Sequence, residues 1–161
     1  MPLEIVYLGL GGNIGDTAAI VNEVVETLRG WEGVSAVRLS PLFRSSPVGG
    51  VEQPDFVNGV VQLKTTVPPE PFMQKCWALE KQYGVKKAIL NGPRALDIDL
   101  LFYGAQRIHT ETLQVPHPRW DQRLFVLCPL RTFTAEIGGV QLDRAIEVLK
   151  GGSDQSVVLL C

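Results

Sequence analysis

An α+β fold of the ferredoxin-like kind is predicted by three observations. Strand-like apolar runs at 4–10, 34–44, 56–64 and 95–103 alternate with two stretches of helical periodicity. Their order is strand, helix, strand, strand, helix, strand, the split β-α-β arrangement of that class. The 161 residues suffice for one domain burying roughly 70% of the surface of the unfolded chain. Apolar residues make up 45% and charged residues 20%, the balance of a folded rather than a disordered chain. With no repeat, low-complexity tract or linker, one domain over 1–161 is expected, its last residues, 151–161, unassigned.

Each element has a local reason. EIVYLGL at 4–10 reads as a buried strand and runs into the turn GGNIGD. Asp16 is a suitable N-cap for a helix in which Ile20, Val21, Val24, Val25 and Leu28 recur on one side, and Gly30 suits its end. Residues 34–44 read as one strand and FVNGVVQLK at 56–64 as the next, with a loop rich in Pro and Gly between them. Pro68 and Pro69 fit the first turn of a second helix with the stripe Phe72, Cys76, Leu79 and Tyr83, which Gly84 ends. After a polar loop at 85–94, ALDIDLLFY at 95–103 is a strong strand, with more strand expected near 106–109. LFVLCPL at 124–130 is short and apolar without a clear period, and a third helix is expected over 141–150.

Composition excludes several classes. The formal net charge of −2 does not suit a general nucleic-acid binder. Lys81, Lys86, Lys87, Arg94, Arg107, Arg119 and Arg123 nevertheless make one third of the chain locally basic, which suits a small polyanion as well as a solvated face. No apolar run approaches the ~20 residues of a membrane helix, and no basic, apolar leader opens the chain. Cys76, Cys128 and Cys161 are odd in number and far apart, so neither a disulfide framework nor a zinc site is expected. A reducing cytoplasm is the expected setting.

The segment Gly92-Pro93-Arg94-Ala95-Leu96-Asp97-Ile98-Asp99 carries the most chemistry. Strand alternation puts Asp97 and Asp99 on one face, their Cα atoms about 6.6 Å apart, with Leu96, Ile98 and Leu100 on the other. Paired carboxylates suit a hard divalent cation, with Mg²⁺ taking one or two carboxylates plus phosphates. Alone, the pair equally suits a strand that displays two aspartates to water. Arg94 beside it adds the guanidinium that a transferring phosphoryl group needs. In FRSSPVG and QPDFVN, Phe56 and Asn58 share a strand face, where a ring can stack and an amide can read a planar heterocycle. The same two residues also suit a core position and a strand bend. His117 stands between Pro116 and Pro118, and Glu80 stands beside the apolar stripe of the second helix. The GGNIGD turn lacks the spacing of G-x-G-x-x-G and the lysine of a P-loop, so it reads as a structural turn flanking the site.

In order along residues 5 to 130, GGNIGD, FRSSPVG, QPDFVN, Glu80, GPRALDIDLLFYG and VPHPR resemble the 6-hydroxymethyl-7,8-dihydropterin pyrophosphokinase family. The resemblance implies a three-layer α/β/α fold with a mainly antiparallel sheet. It implies transfer of diphosphate from ATP to the pterin's 6-hydroxymethyl group with release of AMP, in folate biosynthesis. Two Mg²⁺ ions would be held by Asp97 and Asp99. The pterin pocket matches Ser45, Ser46, Val48, Phe56, Asn58 and Phe125. The nucleotide site matches Glu80, Arg94, Ile98, His117 and Arg123. Arg94, Asp97, Asp99 and Lys86 are the residues assigned to catalysis. A monomer is expected that binds neither nucleic acid nor membrane. In the 85–91 loop, Lys86, Lys87, Leu90 and Asn91 stand where family members carry arginines and an aromatic. That departure motivates the alternative of a pterin or ATP binder with little turnover; a small metal-dependent phosphodiesterase would leave QPDFVN without a purpose.

Overall fold

The computed structural model describes residues 2–47, 52–84 and 94–160. Strand β1, Glu4–Gly12, lies inside the sheet, flanked by β4, Phe56–Thr65, on one side and β5, Asp97–Tyr103, on the other. Between β1 and β4 come helix α1, Thr17–Arg29, and strands β2, Val34–Leu39, and β3, Phe43–Ser45. Asp16 caps α1 by accepting from the Ala19 N–H at 3.1 Å. Helix α2, Pro69–Gln82, follows β4 and ends where Gly84 adopts φ +74° and donates to the Lys81 carbonyl. After β5 come the hairpin β6, Ile108–His109, and β7, Gln114–Val115, then a single 3₁₀ turn at Trp120–Gln122. Helix α3, Leu124–Arg131, strands β8, Glu136–Ile137, and β9, Val140–Gln141, helix α4, Leu142–Gly152, and strand β10, Val157–Leu159, complete the order.

The main sheet has six strands in the order β10-β3-β4-β1-β5, with β2 further along the same edge of β4, and its pairings are antiparallel. Helices and a mainly antiparallel sheet make the chain α+β, as its sequence predicts. Alternation along the strands divides the core between the two sheet faces. Val6, Leu8, Leu10, Leu63, Ile98 and Leu100 pack with residues of α1 and α2. Tyr7, Val60, Leu101 and Phe102 pack with Trp120 and residues of α3 and α4. No helix among the described residues is long and apolar enough to cross a membrane.

One expectation needs correction, and two segments without an assigned element acquire one. The strand expected over 34–44 is two strands. Pro41 has no N–H to give a ladder, and the Ser40 hydroxyl turns the chain by donating to the Pro41 carbonyl at 2.8 Å and accepting from the Val60 N–H at 2.9 Å. The run 124–130 is a helix, with Leu124, Val126, Leu127, Pro129 and Leu130 buried. A helix covered on most sides shows no apolar stripe, and its Pro129 reads locally as a breaker. The tail left unassigned over 151–161 contains β10, which pairs Val157, Val158 and Leu159 with Ser45, Arg44 and Phe43.

Ser40 is 4% exposed, and its hydroxyl is the acceptor for the Val60 N–H. Ser40→Ala is expected to destabilise the protein by about 1–2 kcal/mol, the cost of a buried donor left unpaired. Urea unfolding checks this: the midpoint falls while the slope stays unchanged.

Candidate active site

A cavity of about 560 Å³ opens on the face of the sheet that carries α3. Its floor is a row set by strand register. Asp97 pairs with Gly11, and Gly11 pairs with Asn58, so the three side-chain positions lie side by side across β5, β1 and β4. Two strand spacings separate the carboxylate from the carboxamide, about 9.5 Å between Cα atoms. The residue between them has no side chain. Asp99 lies opposite Gly9 one step along, so both carboxylates border a glycine on β1.

Close approach explains Gly11 and its neighbour Gly12, whereas a Cβ on Gly9 would meet nothing nearer than 3.7 Å. A Cβ on Gly11 would stand 2.0 Å from the Asn58 Nδ2, and one on Gly12 would stand 2.4 Å from the Ala95 carbonyl oxygen. Asn13, next along, is buried and uses its carboxamide completely. Its Nδ2 donates to the Gln53 side chain and to the Pro54 carbonyl, each at 2.9 Å. Its Oδ1 accepts from the Arg94 N–H at 2.9 Å, and its own N–H donates to the Arg94 carbonyl at 2.8 Å. The turn read from the sequence as structural therefore pins both the QPD segment and the start of the DID strand.

The sequence places Asp97 and Asp99 on one face of β5, and the structure agrees. Burial, reinforced by the Asp99 charge, pushes the Asp97 carboxyl up to about 6, against the pull of Arg94 and Arg123. Burial raises Asp99 too. Protein crowds both groups, yet 37% and 44% of their side-chain surfaces still meet the cavity's water, which softens the shift without reversing it. Arg94 Nη1 lies 3.4 Å from Asp97 Oδ1, and Arg123 Nη1 lies 4.0 Å from Asp99 Oδ2. Two cations thus flank the two anions at the long end of ion-pair distance, leaving the carboxylates only partly compensated.

The opposite wall suits a flat ring. Ser45, Ser46, Phe56, Asn58 and Phe125 line the cavity together. Asn58 Oδ1 is buried and has no hydrogen-bond partner among the described residues. The Arg123 guanidinium lies over the Phe125 ring at 5.4 Å from its centre.

His117 also lines the cavity, fixed through its backbone: its N–H donates to the Leu101 carbonyl of β5 at 3.1 Å. Its Nδ1 accepts from the Arg119 N–H at 3.1 Å, so in the neutral ring Nε2 carries the proton and serves as a donor. Burial, with Arg123 and Arg119 nearby, lowers its pKa to about 4.

Glu80 and Ile98 are joined to each other and are not among the lining residues. A Glu80 carboxylate oxygen accepts from the Ile98 N–H on the outer edge of β5 at 2.6 Å, while the Ile98 side chain is buried in the core. Burial raises Glu80 to about 7, the Ile98 bond opposing and the two aspartates adding to the shift. Val48 and Lys86, assigned from the resemblance to the pterin pocket and to catalysis, lie outside the described residues. Sequence reasoning missed Gly9, Arg119, Gln122, Gln155, Ser156 and Val157, all of which line the cavity. Arg119 had a signal, the PHPR run; Gln155 had none, because long-range packing alone brings it there.

Comparison with known proteins gives one family. The model of 7,8-dihydro-6-hydroxymethylpterin-pyrophosphokinase (HPPK) matches residues 7–135. The chain is 35% identical over 134 residues to the 2-amino-4-hydroxy-6-hydroxymethyldihydropteridine pyrophosphokinase of Bacillus subtilis (strain 168), covering 83% of this chain and 80% of that one. It is 36% identical over 145 residues to the protein of the same name from Methylorubrum extorquens, covering 89% and 92%. A third relative, the folic acid synthesis protein fol1 of Pneumocystis carinii, is 35% identical over 134 residues, and there the chain spans 18% of the relative's length.

The depressed pKa of His117 makes a pH prediction with a definite sign. The unfolded chain takes up the proton near pH 6.5 and the folded one only near pH 4, so the contribution of His117 to stability is intact above pH 6.5 and declines as pH falls from there to 4. In NMR titration the His117 ring signals should stay those of the neutral ring down to about pH 4. A midpoint near 6.5 would show that the cavity wall does not shield it.

Proposed function

The chain belongs to the 7,8-dihydro-6-hydroxymethylpterin-pyrophosphokinase family, and from that premise we propose that it transfers diphosphate from ATP to the 6-hydroxymethyl group of 6-hydroxymethyl-7,8-dihydropterin, releasing AMP, as a step of folate biosynthesis. The observation that carries this reading is the floor row Asp97–Gly11–Asn58. It sets a phosphate-handling carboxylate and a heterocycle-reading amide on one sheet face, their Cα atoms about 9.5 Å apart, with the Asn58 side chain lying over the glycine between them.

In this reading the pterin lies between Phe56 and Phe125, its amide edge paired with the Asn58 carboxamide, whose Oδ1 has no partner among the described residues. Ser45 and Ser46 line the same end. Its hydroxymethyl oxygen then points along the floor toward the carboxylates. That oxygen attacks the β-phosphorus of ATP; the bond from the β-phosphorus to the oxygen bridging it to the α-phosphate breaks, the hydroxyl proton is lost, and AMP departs. Arg94 and Arg123, flanking the carboxylates, offer guanidinium forks to the charge that grows on the phosphate oxygens. Neutral His117 donates from Nε2 to a phosphate or sugar oxygen. Glu80 and Ile98, which the family pattern puts at the nucleotide, sit on the outer edge of β5 outside the cavity lining. Holding both substrates in line supplies much of the rate.

Asp97 and Asp99 fit magnesium. They are crowded carboxylates raised by burial, facing one cavity, with their charge only partly met by arginine. Among the described residues no three His, Cys, Asp or Glu side chains gather into a metal site, which suits an ion that completes its shell with phosphate and water. Two Mg²⁺ ions held there would draw charge from the phosphates and the attacking oxygen.

The sheet order β10-β3-β4-β1-β5, with helices packed on both faces, supports a ferredoxin-like fold in three layers, one domain over 1–161. The reading further takes the protein as a cytoplasmic monomer that binds neither nucleic acid nor membrane. The alternative of a binder with little turnover rests on the 85–91 loop, which lies outside the described residues, and Lys86 as a catalytic cation rests there too.

Asp97→Asn is expected to lower turnover by about two to three orders of magnitude with an unchanged circular-dichroism spectrum. Comparable turnover would remove Asp97 from the mechanism. In titration calorimetry, Asn58→Ala should weaken pterin binding by about tenfold or more and ATP binding little, since it removes a hydrogen-bonding amide from one end of the cavity. Equal weakening of both would contradict the pterin-reading role.

A further inference from the structure

Gln155 lies beyond residues 7–135, the stretch that the family model matches, yet both ends of its side chain are bonded into the cavity wall. Its Oε1 accepts from the Leu124 N–H and its Nε2 donates to the Gln122 carbonyl, each at 2.9 Å. Those two groups belong to the peptide units on either side of Arg123. One carboxamide therefore brackets a single residue's backbone. Arg123 needs bracketing: it sits in an extended conformation, φ −127° and ψ 115°, between the 3₁₀ turn and α3, and no side chain of its own segment caps that helix. A first-turn N–H without a cap is one of the orphan donors of every helix. Here the acceptor comes from 31 residues away in sequence.

Gln155 is itself held. Its N–H donates to the Ser153 hydroxyl at 3.3 Å, and two residues on, Val157 pairs with Ser45 of β3. The tail thus ties the β3 wall of the cavity to the start of α3. From the bracketed position the Arg123 guanidinium stands 4.0 Å from Asp99 and over the Phe125 ring.

We propose that Gln155 is a positioning residue for this reaction: by clamping the Gln122 carbonyl and the Leu124 N–H it sets the Arg123 backbone, and with it the place of the guanidinium between Asp99 and the phosphates of ATP. The inference rests on the pyrophosphokinase reading of the cavity. A role confined to fastening the tail would lower stability and leave catalysis unchanged.

The test is a double-mutant cycle in the full chain, with Gln155→Ala, Arg123→Ala and both together, reading kcat and KM for ATP and pterin beside thermal unfolding. Gln155→Ala should lower kcat/KM for ATP about tenfold, the loss of two hydrogen bonds that orient one side chain, with the pterin KM changed less than about twofold. The double variant should be no worse than Arg123→Ala alone, because Gln155 acts through Arg123. Losses that multiply in the double variant, or wild-type kcat/KM in Gln155→Ala, overturn the proposal. Should Gln155→Ala fail to fold, Gln155→Glu takes its place with the same expectation, since it keeps an acceptor for Leu124 and sets an oxygen against the Gln122 carbonyl. If the wild-type protein forms no pterin-dependent AMP, the pyrophosphokinase reading fails, and ATP calorimetry on the same variants judges the clamp separately. Weaker ATP binding in Gln155→Ala that does not deepen in the double variant keeps it; unchanged ATP binding removes it.

Discussion

The carboxamide of Asn13 joins three pieces of backbone that belong to different parts of the chain: the end of β1, the Gln53-Pro54 segment leading into β4, and Arg94 leading into β5. The wall with Phe56 and Asn58 follows from the second and the wall with the two carboxylates from the third. Their separation is therefore fixed before any ligand arrives. Gly11 and Gly12 make this possible, because the neighbouring segments pass where a Cβ would stand. At Gly11 the missing side chain makes room for the Asn58 carboxamide. One structural requirement, close approach at the end of β1, thus ties the segments of the site together and seats Asn58.

Charge is arranged on that floor with little to spare. Asp97 and Asp99 repel each other in a crowded cavity, and Arg94 and Arg123 approach them without saturating them. A site fully neutralised by its own side chains would have little attraction left for a cation carrying a triphosphate. His117 stays uncharged at neutral pH because two arginines and burial oppose its proton, so it contributes a donor without adding to the positive field. Arg123 is the hinge of this arrangement, touching Asp99 on one side and Phe125 on the other. Its backbone is set from outside the matched family region, by Gln155.

Apart from the break between β2 and β3, the strands and helices up to Tyr103 are legible because each shows its own period: two along β5, 3.6 along α1, with Asp16 and Gly84 marking ends. The Asp97–Asp99 pair was legible for the same reason, since alternation alone puts the two on one face. What escaped was non-local. Nothing near Ser40 says that its hydroxyl will bond Val60, so β2 and β3 read as one strand. The α3 helix is buried on most sides and so has no stripe to show. Asn13 looked like a turn residue because its partners lie 40, 41 and 81 residues away. Gln155 looked like part of a tail because its partners lie 31 and 33 residues away. The resemblance assigns Glu80 to the nucleotide, and only the fold reveals that its carboxylate already holds the Ile98 N–H.

The most direct measurement mixes the purified protein with ATP, Mg²⁺ and 6-hydroxymethyl-7,8-dihydropterin and follows AMP, with the pterin omitted in a parallel reaction. The account predicts AMP that appears only when the pterin is present, matched mole for mole by the diphosphorylated pterin. AMP released at the same rate without pterin, or none at all from a protein that binds both ligands, would contradict it.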